Sequence, residues 1–375
     1  MADKSPIEWT DATWNPIVGC SILSPGCIHC YAMRMAGRIE AMGGAPHYAG
    51  TTKNVNGNTI WTGKLALAPE RILTEPLRWQ RPRRIFVNSM GDLFHEDVPD
   101  AWIDRVFAVM ALAPQHTFQV LTKRARRMRE YMNERWQPAP AHRLAWQGGD
   151  TIDIPAETAG EDREDQVRAA CEPFLEKLGL VDTDNDDLWT EDGNAKAMTW
   201  TWPLKNVWLG VSAERQQEAD ERIPELLATP AAIRFVSAEP LLGPIDFYKY
   251  LRPLCDRCPP WEVPCRIGCQ NCTRLDQIIV GGESGQDARP MHPAWPRSIR
   301  DQCAAAGVPF FFKQWGAFRP LTRAEHNQAC GATLIGTDPY DQDAHVLKVG
   351  KKAAGRLLDG VEHNGMPELR EVPAL

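Results

Sequence analysis

Short apolar runs alternate with amphipathic stretches along most of this chain, and this alternation limits the fold more than any other feature. The apolar runs are rich in β-branched and aromatic residues, which predicts buried strands, and the stretches between them have helical periodicity. The predicted strands are 14–18, 84–88, 117–121, 207–211, 233–237, 277–280 and 309–312. The predicted helices are 31–42, 101–112, 124–133, 164–178, 216–228 and 294–306. Strands that alternate with helices are typical of βαβ units around a parallel sheet.

The order of these elements predicts an α/β fold, a partial or complete (β/α) barrel, with an open doubly wound sheet as the alternative. The barrel is favoured because polar residues follow almost every predicted strand. In a barrel, the carboxyl ends of the strands form the active site. The polar residues at these ends include Ser89, Asp92, Lys123, Ser212, Glu214, Glu239, Glu283 and Lys313.

Two insertions and a tail interrupt the pattern, so the chain divides into six segments. The barrel is expected in residues 1–135, 202–252 and 276–318, with an acidic insertion at 136–201, a cysteine-rich insertion at 253–275 and a C-terminal appendage at 319–375. Between Asp150 and Asp192 there are fifteen acidic residues and three basic ones, although the net charge of the whole chain is only −7. The remainder is therefore mildly basic, and a polyanionic substrate is not excluded.

The chain is expected to be cytoplasmic, with no membrane partner. Its apolar runs are all shorter than a bilayer span, and its polar first residues lack the basic and apolar regions of a signal peptide. In that compartment, the eleven cysteines are better interpreted as metal ligands, reactive thiols or buried residues than as disulfides.

The first cysteine cluster consists of Cys20, Cys27 and Cys30, with the spacing C-x6-C-x2-C. It lies between the first predicted strand and the first predicted helix, whose positive N-terminus favours an anionic centre. Three thiolates can hold a [4Fe–4S] cluster and leave one iron open to a small molecule. The alternative is a zinc site that adds His29 or His47. His29 lies between two of the cysteines, which places it badly for binding the same metal as both.

The second cysteine cluster contains two Cys-x2-Cys pairs and one further cysteine. Paired Cys-x2-Cys turns favour a structural Zn2+ site with four thiolates. An auxiliary iron–sulfur cluster is the alternative, because a fifth cysteine is superfluous for zinc. The residues are Cys255, Cys258, Cys269 and Cys272, with Cys265 between the pairs.

Six motifs together resemble a known group of proteins. They are TWNPIVGC with the two following cysteines, NSMGDLFH, GVSAE, SAEPLLGPID, IIVGGESG and FFKQWG, and they span roughly residues 5–318. This set resembles the phage-associated gene-product 37 / gene-product 68 family of three-cysteine proteins. It is also similar to the radical S-adenosylmethionine superfamily, although the commonest spacing there is C-x3-C-x2-C. Spore photoproduct lyase, a DNA-repair enzyme, is a more distant resemblance.

The resemblance implies a barrel of the radical SAM type with a [4Fe–4S] cluster and S-adenosyl-L-methionine as cofactors. It implies reductive cleavage of that cofactor to a 5′-deoxyadenosyl radical, with flavodoxin or ferredoxin as electron donor and a three-cysteine-motif protein as a further partner. Ser89 and Asp92 occupy the place of the superfamily's Gly-Gly-Glu stretch, while Glu283 ends such a stretch later in the chain. Ser212 and Glu214 match the position of residues that hold the ribose hydroxyls.

Three further groups could act on the substrate. Lys313 follows an apolar strand and could bind a carboxylate or phosphate, and Glu239 could accept hydrogen bonds from ribose or substrate. The alternatives are a surface loop and a loop cap. A basic run after the third strand predicts contact with nucleic-acid phosphates, unless it is only the solvated face of a helix. Its residues are Lys123, Arg124, Arg126 and Arg127.

The sequence therefore predicts a radical S-adenosylmethionine enzyme that acts on nucleic acid or a nucleotide-like substrate, in repair or modification. The alternative is a non-catalytic protein that binds nucleic acid and is stabilised by iron–sulfur or zinc sites.

Overall fold

The structure is a computed structural model that describes most of the chain. The described residues are 5, 7–133, 142–145, 151–154, 162–180, 196–251, 274–321, 325, 332–335 and 344–368. The cysteines of the predicted cysteine-rich insertion lie outside these residues, and their metal site stays a prediction. They are Cys255, Cys258, Cys265, Cys269 and Cys272.

A curled sheet of seven parallel strands forms the centre of the molecule. The strands are β1 (Ala12–Trp14), β2 (Arg84–Val87), β3 (Thr117–Thr122), β4 (Val207–Ser212), β5 (Ile233–Ala238), β6 (Gln277–Gly281) and β7 (Phe310–Gln314). They are hydrogen-bonded in chain order, without a reversal. A doubly wound sheet reverses its strand order at a switch point, so that alternative is excluded. The prediction of an α/β partial barrel is confirmed, and within the described residues β1 and β7 do not pair with each other.

Among the described residues, six helices of eight residues or more connect or flank the strands. They are α1 (Tyr31–Met42), α2 (Asp100–Ala111), α3 (Ala125–Met132), α4 (Arg163–Leu178), α5 (Gln216–Leu227) and α6 (Ala294–Ala306). Helix α1 ends at Gly43 and α6 ends at Gly307, with φ angles of 69° and 66°. Glycine adopts this left-handed conformation without a steric penalty, which is why both helices stop there. Shorter helical segments are Pro25–Cys27, Pro46–Tyr48, Glu70–Leu73, Glu75–Arg78, Lys196–Met198, Tyr248–Leu251 and Lys351–Ala354.

Small antiparallel sheets surround the barrel. Three are pairs of strands: Ile17–Val18 with Ala66–Leu67, Thr52–Val55 with Asn58–Trp61, and His142–Ala145 with Thr151–Ile154. A fourth contains Phe318–Pro320, Ala344–Lys348 and Thr333–Ile335.

The predicted first strand, 14–18, is wrong as a single element. Strand β1 ends at Trp14, and Ile17–Val18 leaves the large sheet to pair with Ala66–Leu67. Pro16 lies between the two pieces and has no N–H to donate to a ladder, which breaks the strand at that point.

Alternate side chains of the strands pack on opposite sides of the sheet. The outward set includes Ile85, Val87 and Phe118 and joins the large core beneath the helices. The inward set forms a smaller cluster in which Trp9 contacts Phe235 and is joined by Phe311. Because side chains alternate along a strand, the apolar runs fill both layers, and the inward cluster becomes the floor of the barrel.

The described part of the acidic insertion is attached to this outer layer through helix α4. Arg163 Nη1 donates to Asp104 Oδ1 at 2.9 Å, and its guanidinium lies 4.3 Å from the ring centroid of Tyr131. The Tyr131 hydroxyl donates to the same carboxylate oxygen at 2.8 Å. The burial of Asp104 raises its pKa in spite of these partners.

The C-terminal appendage covers the free edge of β7. Phe312 N donates to His363 O at 3.0 Å, Gly365 N donates to Phe310 O at 2.9 Å, and Asn364 forms an antiparallel bridge with β7. An exposed strand edge is a template for unwanted pairing, and a covered one is not. Among the described helices, none combines the length and apolar character needed to cross a bilayer.

Candidate functional site

A cavity of about 440 Å³ opens at the carboxyl ends of the strands. This volume lies within the usual range for small-molecule sites. Many of the residues predicted from the sequence line this one cavity. They are Cys20, Cys27, Cys30, Ser89, Asp92, Lys123, Arg124, Ser212, Glu239, Glu283 and Lys313.

The loop after β1 brings the three cysteines to the cavity. Cys27 closes a short 3-10 turn, and Cys30 is the residue that caps the N-terminus of α1. The helix therefore directs its positive end toward the thiols. The other described cysteines, Cys171 and Cys303, are buried in the large hydrophobic core instead.

The three thiols differ in their electrostatic surroundings. Burial, with a smaller contribution from the charge of Asp92, raises the pKa of Cys20 to about 12. Burial also raises the pKa of Cys30. At Cys27 burial acts in the same direction, but the positive charge of Lys123 and nearby backbone N–H groups outweigh it, so its pKa is lowered. Metal binding requires thiolates, and Cys27 is the thiol that this environment most readily deprotonates.

Glu214 lies behind the cavity wall and is fully buried. Its Oε1 accepts hydrogen bonds from Ser24 Oγ at 2.8 Å and from Lys123 Nζ, and its Oε2 accepts from Arg222 Nη1 at 3.1 Å. Both carboxylate oxygens are thus occupied by the protein itself. The ribose-binding role of Glu214 stays a prediction, and its observed contacts join the cysteine loop to β4.

Lys123 projects from the end of β3 into the same network. Its ammonium donates to Ser212 Oγ at 3.0 Å as well as to Glu214. Burial lowers its pKa to about 8.

Arg124 connects the cysteine loop to the ends of β2 and β3. Its Nη1 is 3.2 Å from Asp92 Oδ2 and 3.6 Å from Cys20 Sγ, and its Nη2 donates to Ser21 Oγ at 2.8 Å. Burial alone would lower the pKa of Arg124, but the charges of Asp92, Cys20 and Glu96 together outweigh it, so the pKa is raised. Asp92 also accepts from Thr122 Oγ1 at 2.6 Å, so it cross-links the two strand ends.

Glu283, after β6, holds the cysteine loop from the opposite side. Arg289 donates to it from Nη2 at 2.6 Å and from Nε at 2.8 Å, and Arg289 Nη2 also donates to Pro25 O at 3.0 Å. The interaction with Arg289 outweighs burial and lowers the pKa of Glu283. His29 Nδ1 lies 3.3 Å from Glu283 Oε2. His29, one of the two histidines predicted for the alternative zinc site, is therefore engaged with this carboxylate.

Ser89, Glu239 and Lys313 complete the wall. Ser89 Oγ donates to Asn15 Oδ1 at 3.1 Å. Lys313 Nζ, from β7, donates to both oxygens of Glu239, at 2.7 and 2.9 Å. This ion pair faces the cavity from β5 and β7.

The basic run 123–127 is not one continuous surface. Lys123 and Arg124 face the cavity and are held by buried carboxylates, as described above. Arg126 is exposed and pairs with Glu130 one helical turn away, and Arg127 pairs with Asp100. The assignment of these four residues to nucleic acid stays a prediction.

Some residues of the cavity escaped the sequence analysis. Trp9, Asn88 and Lys351 line it, and Lys351 Nζ is 3.2 Å from Glu8 Oε1. Asn88 is the last residue of the predicted strand 84–88, directly before the selected Ser89, and this position could have identified it. Trp9 and Lys351 come from segments without a periodic pattern, so their sequence carried no comparable signal.

Gly26 is required by its close approach to the buried carboxylate. A Cβ at this position would lie 2.3 Å from Glu214 Oε1. Ser24 and Lys123 hold this oxygen in place, and Arg222 holds the other oxygen of the carboxylate. We expect Gly26→Ala to lower the free energy of unfolding by about 1–3 kcal/mol, the usual cost of overpacking. Denaturant titration measures this loss. Gly44→Ala is the control because a Cβ there meets nothing within 4 Å, and an equal effect of both changes would contradict the explanation.

The fold and the site together define a half-barrel α/β protein with a three-cysteine loop at the carboxyl edge of its parallel sheet. The chain belongs to the DUF5131 family, described as proteins of unknown function, whose family model matches residues 4–367. No curated protein and no solved structure matches it.

Proposed function

We propose that the protein is a radical S-adenosylmethionine enzyme whose [4Fe–4S] cluster is held by Cys20, Cys27 and Cys30. The observation that carries the proposal is the convergence of these three thiols, from one loop, on one cavity at the carboxyl edge of a partial barrel. Carboxyl edges are where barrels hold their reacting groups.

The charges around the thiols fit an anionic cluster. Arg124 lies beside Cys20, the ammonium of Lys123 favours the thiolate of Cys27, and Cys30 stands at the positive end of α1. These groups offset negative charge that burial alone would disfavour.

The ligand arrangement supports a cluster over a single zinc ion. A structural zinc site needs four converging ligands. The loop supplies three thiols, and His29, one of the possible fourth ligands, is engaged with Glu283. In a cubane cluster, the cysteines bind separate irons, so their sulfur atoms do not have to meet at one point.

Held at such a cluster and cleaved with one electron from an external donor, S-adenosyl-L-methionine would supply the 5′-deoxyadenosyl radical for hydrogen abstraction. The residues proposed to hold its polar groups are Ser89, Asp92, Ser212 and Glu283, all of which line the cavity. Asp92 and Glu283 are already ion-paired with arginines, so they would contact the cofactor while holding the cysteine loop in place. Glu239 and Lys313 are the proposed substrate-facing pair.

The proposed substrate is nucleic acid or a nucleotide-like molecule, in repair or modification. Proposed partners are a flavodoxin or ferredoxin as electron donor and a three-cysteine-motif protein. The cysteine-rich insertion is proposed to hold Zn2+ or an auxiliary iron–sulfur cluster.

Cleavage of S-adenosylmethionine tests the proposal. We expect anaerobically reconstituted protein to form 5′-deoxyadenosine after addition of dithionite and S-adenosylmethionine, measured by liquid chromatography. Cys303→Ala, in the core, should retain this activity, whereas Cys27→Ala should lose it. Wild-type protein that carries its full complement of iron but forms no 5′-deoxyadenosine would contradict the proposal and favour the non-catalytic alternative.

A further inference from the structure

The floor of the cavity, below the strand ends, is apolar and aromatic. Trp9, Phe86 and Leu121 line it, and the ring centroids of Trp9 and Phe86 are 4.8 Å apart. Phe86 and Leu121 are inward-facing residues of β2 and β3, so they lie deeper than the polar groups that follow the strands. A flat apolar ligand would gain free energy by packing on this floor.

Two buried amide side chains on the cavity wall each have one atom without a partner. Asn88 is 3% exposed and Gln314 is 4% exposed, and both line the cavity. Among the described residues, Asn88 Nδ2 and Gln314 Oε1 have no hydrogen-bond partner. Buried polar atoms in native proteins are nearly always bonded to protein, water or a ligand. Both atoms are themselves covered in this structure, so a ligand in the cavity would contact them once the side chains over them move aside.

The other end of each amide is already oriented. Asn88 Oδ1 accepts from Ile17 N at 3.3 Å, and Gln314 Nε2 donates to Glu239 Oε1 at 3.3 Å. Consequently Asn88 offers a donor and Gln314 offers an acceptor. Asn88 also has a φ angle of 58°, a conformation uncommon for residues other than glycine and enriched at functional sites.

We infer that the floor and these two amides form a subsite for a nucleobase of the substrate. A base is planar, and its edge carries acceptors that suit Asn88 Nδ2 and donors that suit Gln314 Oε1. Its face would stack on Phe86, which is only partly buried, as bases stack on aromatic side chains in nucleic-acid-binding proteins. The inference rests on the proposed function and adds the chemical class of the group that lies in the cavity.

A base could enter this subsite in a free nucleoside or within a single strand. The experiment therefore compares labelled uridine, thymidine, guanosine and adenosine with short single-stranded oligonucleotides. Each is dialysed to equilibrium against the reconstituted full-length protein, with and without S-adenosylmethionine. Ribose and an abasic oligonucleotide serve as probes that lack the base.

We expect at least one base-bearing probe to bind in the presence of S-adenosylmethionine, and the probes without a base not to bind. Gln314→Met should weaken that binding about tenfold, because it removes the acceptor, together with the donor to Glu239, at nearly constant volume. Gln119→Met is the matched control: Gln119 Oε1 is also buried and without a partner among the described residues, but Gln119 does not line the cavity. Asn88→Asp tests the donor separately, since aspartate tolerates the positive φ and keeps the acceptor for Ile17 N.

Three results would overturn the inference. The first is that no base-bearing probe binds, and the second is that the abasic oligonucleotide binds as well as the probes with a base. The third is that only adenosine binds and that S-adenosylmethionine displaces it completely. That third result would assign the subsite to the adenine of the cofactor. Failure of the proposed function has a different outcome. If the protein binds a base through Gln314 but never forms 5′-deoxyadenosine, the base subsite is supported and the proposal of a radical enzyme is refuted.

Discussion

Replacing Cys20, Cys27 or Cys30 with alanine is expected to abolish the oxygen-sensitive brown chromophore and the bound iron of the cavity site. Each change removes one of only three protein ligands, and a cluster with two remaining thiolates has no adequate anchor. The measurement is iron content and visible absorption after anaerobic reconstitution, corrected for iron bound by the cysteine-rich insertion.

Cys171→Ala and Cys303→Ala provide matched controls. Both residues are buried in the large core and lie away from the cavity lining, so these variants should bind as much iron as the wild type even if their stability falls. Wild-type iron levels and spectra in all three variants of the cavity cysteines would show that the cluster assignment is incorrect.

Glu214→Gln is expected to lower the free energy of unfolding by about 3–5 kcal/mol, the cost of breaking a buried ion pair from one side. Glutamine has nearly the same shape but no charge, so it leaves the positive charges of Lys123 and Arg222 without their buried partner. Its amide group would also direct a donor toward one of the groups that now donate to the carboxylate. Urea titration, with equal m-values for the two proteins, measures the loss.

Glu130→Gln is the control for this change. Glu130 pairs with Arg126 on the exposed face of α3, where ion pairs contribute little. Its unfolding transition should nearly coincide with that of the wild type. If Glu214→Gln behaved like Glu130→Gln, the buried network around the cysteine loop would not stabilise the fold as its geometry indicates.

The barrel itself could be predicted because its signals are local. Apolar runs of four to six residues mark β2 to β7, and glycines end α1 and α6 where the helical periodicity stops. Even the break in the first strand has a local cause, the proline at position 16, which the sequence analysis overlooked. The ends of these strands and helices depend mainly on residues close by in the sequence. They could therefore be predicted without knowing which distant segments pack together.

The site was only partly predictable, because its interactions join distant segments. The cysteine spacing is local and directed attention to the correct loop. The contacts that hold this loop are long-range: Ser24 meets Glu214, and Pro25 meets Arg289. No sequence pattern indicates that these distant residues are in contact.

The basic run illustrates the same limit. Arg124 and Arg126 are two positions apart, yet one is buried beside Cys20 and the other is in solvent. The difference arises because α3 begins at Ala125 with Arg124 as its N-cap residue, so Arg124 lies in the short connection after β3, at the cavity, and Arg126 lies on the helix.

The pairing of residues 363–365 with β7 has a consequence for biosynthesis. These residues are translated only after every strand of the large sheet has been made. Until they emerge from the ribosome, a nascent chain that has already formed its sheet exposes the outer backbone groups of β7 to neighbouring chains. Such unpaired edges are typical starting points of aggregation during folding. Pairing of residues 363–365 with β7 would therefore be the step that protects the newly made barrel from neighbouring chains.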